Sequence, residues 1–158
     1  MREILFRGKR TDGKGWIYGS YIQSNSSWKG GHPHRAWIAE DAMSNGGWFA
    51  LQKRLPVVDE TVGQYTGLKD RNGQRIFEGD IVSADRGYGR FVVRFGKAGG
   101  VYTCRCESGY MAFYFEDVYK ERNDTLRCDP CYWLDRYEDT RVIGNIFDNP
   151  ELLKIWRP

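Results

Sequence analysis

The sequence predicts a mainly β protein, a small SH3-like barrel or sandwich with N-terminal hairpin strands and a short C-terminal helix. Three observations point there. The 158 residues carry 19 glycines, which recur between short segments rich in Val, Ile, Phe, Tyr and Trp, as in chains built from many short antiparallel strands. Asn72-Gly73, between two such segments, is a strong hairpin signal, because both residues accept the positive φ that matches the twist of the flanking strands. Helical periodicity is scarce along the chain.

Taken in order, strands are expected at 3–7, 15–23, 35–40, 48–52, 61–66, 75–84, 90–96, 100–106, 110–115 and 141–147. Asp12-Gly13 serves the first hairpin as Asn72-Gly73 serves the central one. The clearest helix signal is at the end: Asn149 as N-cap, Pro150 at the first helical position and Glu151 in the first turn, leading into Leu152, Leu153, Ile155 and Trp156. Single helical turns are also possible near Met43 and at 116–120. The pattern Lys9-x-x-Asp12-Gly13-Lys14-x-Trp16-Ile17-x-Gly19 returns as Lys69-x-x-Asn72-Gly73-Gln74-x-Ile76-Phe77-x-Gly79. Each copy reads as a turn, a bulky strand and a glycine that permits a bulge or a close approach of backbones. Shared turn chemistry explains the likeness more simply than a functional symmetry does.

A hydrophobic content of 41% with 15% aromatics is enough for a buried core without disulfides, and one domain spanning 1–158 is the default. No apolar run approaches membrane-spanning length, and Arg7, Lys9 and Arg10 interrupt any signal-peptide core, so a cytoplasmic address and no membrane partner are expected. With 24 basic and 21 acidic residues the net charge is +3 and no block of like charge stands out, which reads first as a mixed, soluble surface.

Three segments carry distinctive wording. The first is Arg2-Glu3-Ile4-Leu5-Phe6-Arg7-Gly8-Lys9 followed by Gly15-Trp16-Ile17-Tyr18-Gly19. The second is Val62-Gly63-Gln64-Tyr65-Thr66-Gly67-Leu68-Lys69-Asp70, then Asn72-Gly73, then Ile76-Phe77-Glu78-Gly79-Asp80-Ile81-Val82. The third is Ile143-Gly144-Asn145-Ile146-Phe147-Asp148-Asn149-Pro150-Glu151-Leu152. Together these segments resemble the YopX family of phage- and prophage-associated proteins, and the resemblance implies a phage or prophage setting inside a bacterial host cell and names no chemistry. Family wording is missing from two inserts, near 24–56 and 94–140.

Cysteine is the sharpest candidate for chemistry. Cys104-x-Cys106 and Cys128-Asp129-Pro130-Cys131 supply four thiols as two close pairs, and residues two apart on a strand share a face, so a four-thiolate zinc site is one reading. A redox pair is a second. Ordinary thiols and no cofactor are the simplest. Lys29-Gly30-Gly31-His32-Pro33-His34-Arg35 holds both histidines beside Trp28 and Trp37, a basic and aromatic loop able to meet phosphate or stack a base; Arg86, Arg90 and Arg94 are further candidate phosphate contacts. Its plainer reading is an exposed polar loop.

The chain has no Walker loop, dinucleotide fingerprint, Gly-x-Ser-x-Gly elbow or His-Glu-x-x-His, and an enzyme is not expected. Glu78 and Asp80, beside Gly79, read as turn-forming and backbone-capping groups rather than a catalytic pair. Six Trp and ten Tyr exceed what a small core buries with every polar edge satisfied, so some should lie at the surface as interface anchors, with Trp28, Trp37, Trp48 and Tyr88 the candidates. The leading functional expectation is a non-enzymatic accessory protein that binds protein, as a homo-oligomer and on a host defence or replication factor. Nucleic-acid binding and a zinc-stabilised module are the alternatives.

Overall fold

A computed structural model describes residues 3–23, 35–40, 54–84, 89–98, 110–118 and 140–154. The described chain is mainly β, in two antiparallel sheets. Its strands are β1 Phe6–Lys9, β2 Trp16–Gln23, β3 Ala36–Ala39, β4 Arg54–Val57, β5 Gly63–Lys69, β6 Arg75–Phe77, β7 Asp80–Ala84, β8 Gly89–Ala98, β9 Tyr110–Asp117 and β10 Arg141–Asn145. The chain divides into two compact units, Met1–Gly67 and Leu68–Pro158. The strands expected at 48–52 and 100–106 and the turn near Met43 lie outside the described residues.

In the first unit the strand order is β4-β3-β2-β1-β5. Side chains alternate across the sheet, so Ile17, Ala36, Ile38 and Val57 are buried on its inner face, with Phe6, Tyr21, Leu55 and Val62 packed against them. β3 and β4 come from the insert without family wording. β4 escapes a sequence reading because Pro56 sits in it. The proline is tolerated there because β4 ends the strand order, and the Pro56 carbonyl still accepts the Thr11 N–H (3.2 Å). A single antiparallel bridge, Arg10 with Val57, joins the end of β1 to the end of β4, and the Val58 N–H donates to the Lys9 carbonyl (2.8 Å). A 3₁₀ turn, Asp59–Thr61, ties these strands: the Thr61 hydroxyl accepts the Lys9 N–H (2.8 Å) and donates to the Val58 carbonyl (2.7 Å), while Asp59 accepts the Ala36 N–H (3.1 Å).

In the second unit the order is β10-β7-β8-β9. Ile76, Val82, Phe91, Val93 and Phe115 form its core, with Leu68 and Val142 packed on them. The run expected as one strand over 75–84 breaks into β6 and β7 at Gly79, whose φ of +82° turns the chain. The Gly79 N–H donates to the Val93 carbonyl and its carbonyl accepts the Ile146 N–H, both at 2.9 Å, and Asp80 accepts the Phe77 N–H at 2.8 Å. Asp80 thus has the backbone-capping place its position beside Gly79 suggested. The C-terminal helix takes a smaller form, a 3₁₀ turn at Pro150–Leu153 with no buried residue, and Ile155 and Trp156 lie outside the described residues.

Both recurrent turns differ from the two-residue form. Gly73 at φ +78° closes a turn back to the Asp70 carbonyl (2.9 Å), and the strands meet again only at Asp70 and Gln74, which makes a three-residue loop. Gly13, φ +76°, bonds to the Arg10 carbonyl in the same way (3.2 Å). A Cβ at either glycine would touch nothing within 4 Å. Gly13→Ala and Gly73→Ala are therefore expected to cost the same, about 1–2 kcal/mol each, from left-handed backbone strain alone; urea denaturation of both variants checks it.

At the first turn, the hydrogen bond from Arg10 holds the Asp12 carboxyl below the usual carboxylate range. A depressed value means the contact contributes above that range and is lost as pH falls through the lowered midpoint. An NMR titration of Asp12 is expected to show that low midpoint, returning to an ordinary Asp value in Arg10→Gln.

Candidate functional site

The second unit places an apolar surface on its β8–β9 ribbon. β7 pairs β8 over Ile81–Ala84 against Gly89–Val92, and β9 runs beside β8 well beyond that point, to Ala98 opposite Tyr110. The alternation that buries Phe91 and Val93 sends Phe95 and Lys97 to the same face, opposite Phe113 and Met111 on β9. The Phe91 and Phe115 rings stack inside the core at 6.2 Å between centroids. One step outward, Phe95 and Phe113 meet edge to face at 5.1 Å. There the cover ends: Phe95 is 50% exposed and Met111 64%. The row of apolar side chains therefore starts in the core and runs out to the surface. Burying both against a partner would contribute about 1.5–3 kcal/mol each.

The other face of the ribbon is mixed, with Val92 and Tyr114 buried beside the charged Arg94 and Glu116. Arg94 pairs with Glu116 (3.2 Å), and the buried Tyr114 ring lies against Gly96, where an added Cβ would stand 3.4 Å from it. Arg90 donates to the Leu152 carbonyl (3.1 Å). Of the expected phosphate contacts, Arg90 and Arg94 thus lie on one strand and face protein acceptors. Arg35 is exposed just before β3, and Lys29, His32, His34 and Arg86 lie outside the described residues. Among the expected interface aromatics, Trp37 is half-buried on β3 with the Arg54 guanidinium 5.1 Å from its ring, while Trp28, Trp48 and Tyr88 lie outside the described residues. So do all four cysteines, Cys104, Cys106, Cys128 and Cys131. Among the described residues no three His, Cys, Asp or Glu gather as a metal site, and no helix is long and apolar enough to cross a membrane.

Phe95 and Met111 were not among the expected interface residues. The available signal was the Phe-Val-Val-Arg-Phe stretch of 91–95, whose alternation carries the core face one position past Val93. The expectation that some tyrosines lie at the surface holds for Tyr18 and Tyr110, 47% and 39% exposed.

The segments whose wording resembles YopX build turns and close packing. Gly8 faces Val57 and Ile38 so closely that a Cβ would stand 2.9 Å from the Val57 Cβ. Asp70 accepts the Asn72 and Gln74 N–H groups on Oδ1 and that of Val142 on Oδ2. Asn145 accepts the Phe147 and Asp148 N–H groups, and its own N–H donates to Asn149. Gly8, Asp70 and Asn145 thus each have a local structural task.

Among solved structures, the chain is similar to protein EF1440 from Enterococcus faecalis, at 23% identity and a TM-score of 0.47, over 98% of this chain and 100% of that one. No curated protein matches. The family model described as YopX protein matches residues 5–154, from within the first motif through the third and across both inserts between them. The chain belongs to the YopX family.

Proposed function

We propose that this is a non-catalytic phage or prophage accessory protein of the bacterial cytoplasm that works by protein–protein contact, as a homo-oligomer and with a host protein as further partner. The observation that carries the reading is the apolar face of the β8–β9 ribbon, where Phe95 and Met111 continue the core row into solvent. Family membership supports the phage setting. The finer fold reading, a small SH3-like barrel or sandwich, belongs to the same proposal, supported in the first unit by the Arg10–Val57 bridge.

The test is mass in solution by light scattering, joined to capture from host lysate after nuclease treatment and a high-salt wash. Wild type should be larger than one chain, and Phe95→Asp or Met111→Glu should return it to a monomer with an unchanged circular dichroism spectrum. An identified host protein should be lost in the same variants. A monomeric wild type, or an oligomer indifferent to both substitutions, overturns the reading.

A further inference from the structure

The first unit carries a second surface of different chemistry, independent of the ribbon. Strands β1 to β4 contain Arg7, Lys9 and Arg54 and no Asp or Glu. Pairing puts Arg7 opposite Tyr18 and Lys9 opposite Trp16 on the face turned away from Ile17 and Ile38, and Trp37 lies on that same face opposite Ile22. Arg54 joins it diagonally, its guanidinium 5.1 Å from the Trp37 ring centroid. The Arg7 guanidinium is buried and stands over the Trp16 ring, 4.8 Å from its centroid, so it covers one face of that ring and leaves the other for a base. Trp16 and Tyr18, two residues apart on one strand, stand about 7 Å apart. Tyr18 is 47% exposed. A row of aromatic faces flanked by cations, on strands free of carboxylates, is the chemistry that receives unpaired bases and their phosphates.

We infer that the outward face of β1 to β4 binds single-stranded nucleic acid, with Tyr18 and Trp16 as stacking platforms and Lys9 and Arg54 meeting backbone phosphates. A duplex hides its base faces and gains only the charge contribution. Binding to the single strand therefore exceeds binding to the duplex and weakens as salt rises.

Fluorescence anisotropy with labelled oligothymidylate, and with a duplex of equal length, tests this on the full chain. Wild type should bind the single strand at low salt, and Tyr18→Ala should weaken it about tenfold or more, as loss of one stacked base does. Lys9→Gln and Arg54→Gln should lower the salt dependence instead. Phe95→Asp, on the other unit, should leave oligonucleotide binding unchanged, which separates this site from the ribbon. Circular dichroism confirms that each variant is folded. Absence of single-strand binding by wild type, equal affinity for duplex, or indifference to Tyr18→Ala overturns the inference. So does a protein captured through Tyr18 that survives nuclease and high salt, which would make the face a protein-docking surface.

Discussion

Gly19→Ala is expected to be the most damaging single substitution in the first unit. A Cβ on Gly19 would stand 2.0 Å from the Ala39 carbonyl oxygen, 2.7 Å from its carbon and 3.1 Å from the Glu40 nitrogen. All three are backbone atoms, so no rotamer change relieves the contact, and β2 and β3 have to separate. The Ser20–Ala39 and Tyr21–Ile38 pairs that hold the sheet together then lengthen, and Ile38 leaves its packing against Ile17 and Val57. Overpacking commonly costs about 1–3 kcal/mol, and a backbone clash this close belongs at or beyond the top of that range. The apparent unfolding midpoint should fall by roughly 10 °C. Gly13→Ala is the control, since its cost is local strain and its Cβ would point into open space. Equal losses for the two variants would mean that β2 and β3 part without cost, and the pairing of Ser20 with Ala39 would have to be revised.

Asp70 should dominate the stability of the second unit. It is 6% exposed and accepts three backbone N–H groups, from Asn72 (2.8 Å), Gln74 (2.9 Å) and Val142 (3.1 Å). Two of these bonds shape the β5–β6 turn. The third, with the Arg71 N–H on the Thr140 carbonyl (3.2 Å), fastens that turn to the start of β10. Asp70→Ala removes three charge-assisted hydrogen bonds, two from the exposed residues Asn72 and Gln74 and one from half-buried Val142, and a loss of about 3–4 kcal/mol is expected, less than their sum because the turn relaxes and water reaches the exposed donors. Asp70→Asn keeps one oxygen for Asn72 and Gln74 and presents an NH2 to the Val142 N–H, so it should lose about half as much. Urea denaturation gives the ranking. Amide hydrogen exchange assigns it: Val142 should lose protection in both variants, Asn72 and Gln74 mainly in Asp70→Ala. Retained protection at Val142 in Asp70→Asn would show that the third bond contributes nothing.

Much of this architecture was legible because turns are written locally. Asp12-Gly13 and Asn72-Gly73 announce their hairpins, and the alternation in 16–23 and 90–96 marks strands without knowledge of partners. What stayed hidden depends on contacts distant in sequence. Pro56 argues against a strand until one knows that β4 ends its order. The unbroken apolar look of 75–84 masks the turn at Gly79, which is fixed by bonds to Val93 and Ile146. Asp70 looks like an ordinary turn aspartate, and its tie to Val142 cannot be read from neighbouring letters. The candidate surfaces follow the same division. Residue type pointed to tryptophans for an interface, whereas exposure of Phe95 and Met111 depends on how far β7 extends along β8.

The register shift between Val142 and Gly144, which leaves Ile143 exposed, has a bearing on how copies of this protein behave when crowded. β10 ends the four-strand order, and a regular terminal strand offers its backbone as a template to any extended segment nearby. A bulge spoils that template by misaligning donors and acceptors along the rim. Runaway strand addition, the first step toward insoluble fibres, is thereby blocked on the β10 side. Among the described residues, the opposite end of this four-strand order is β9, the strand that also carries Met111 and Phe113.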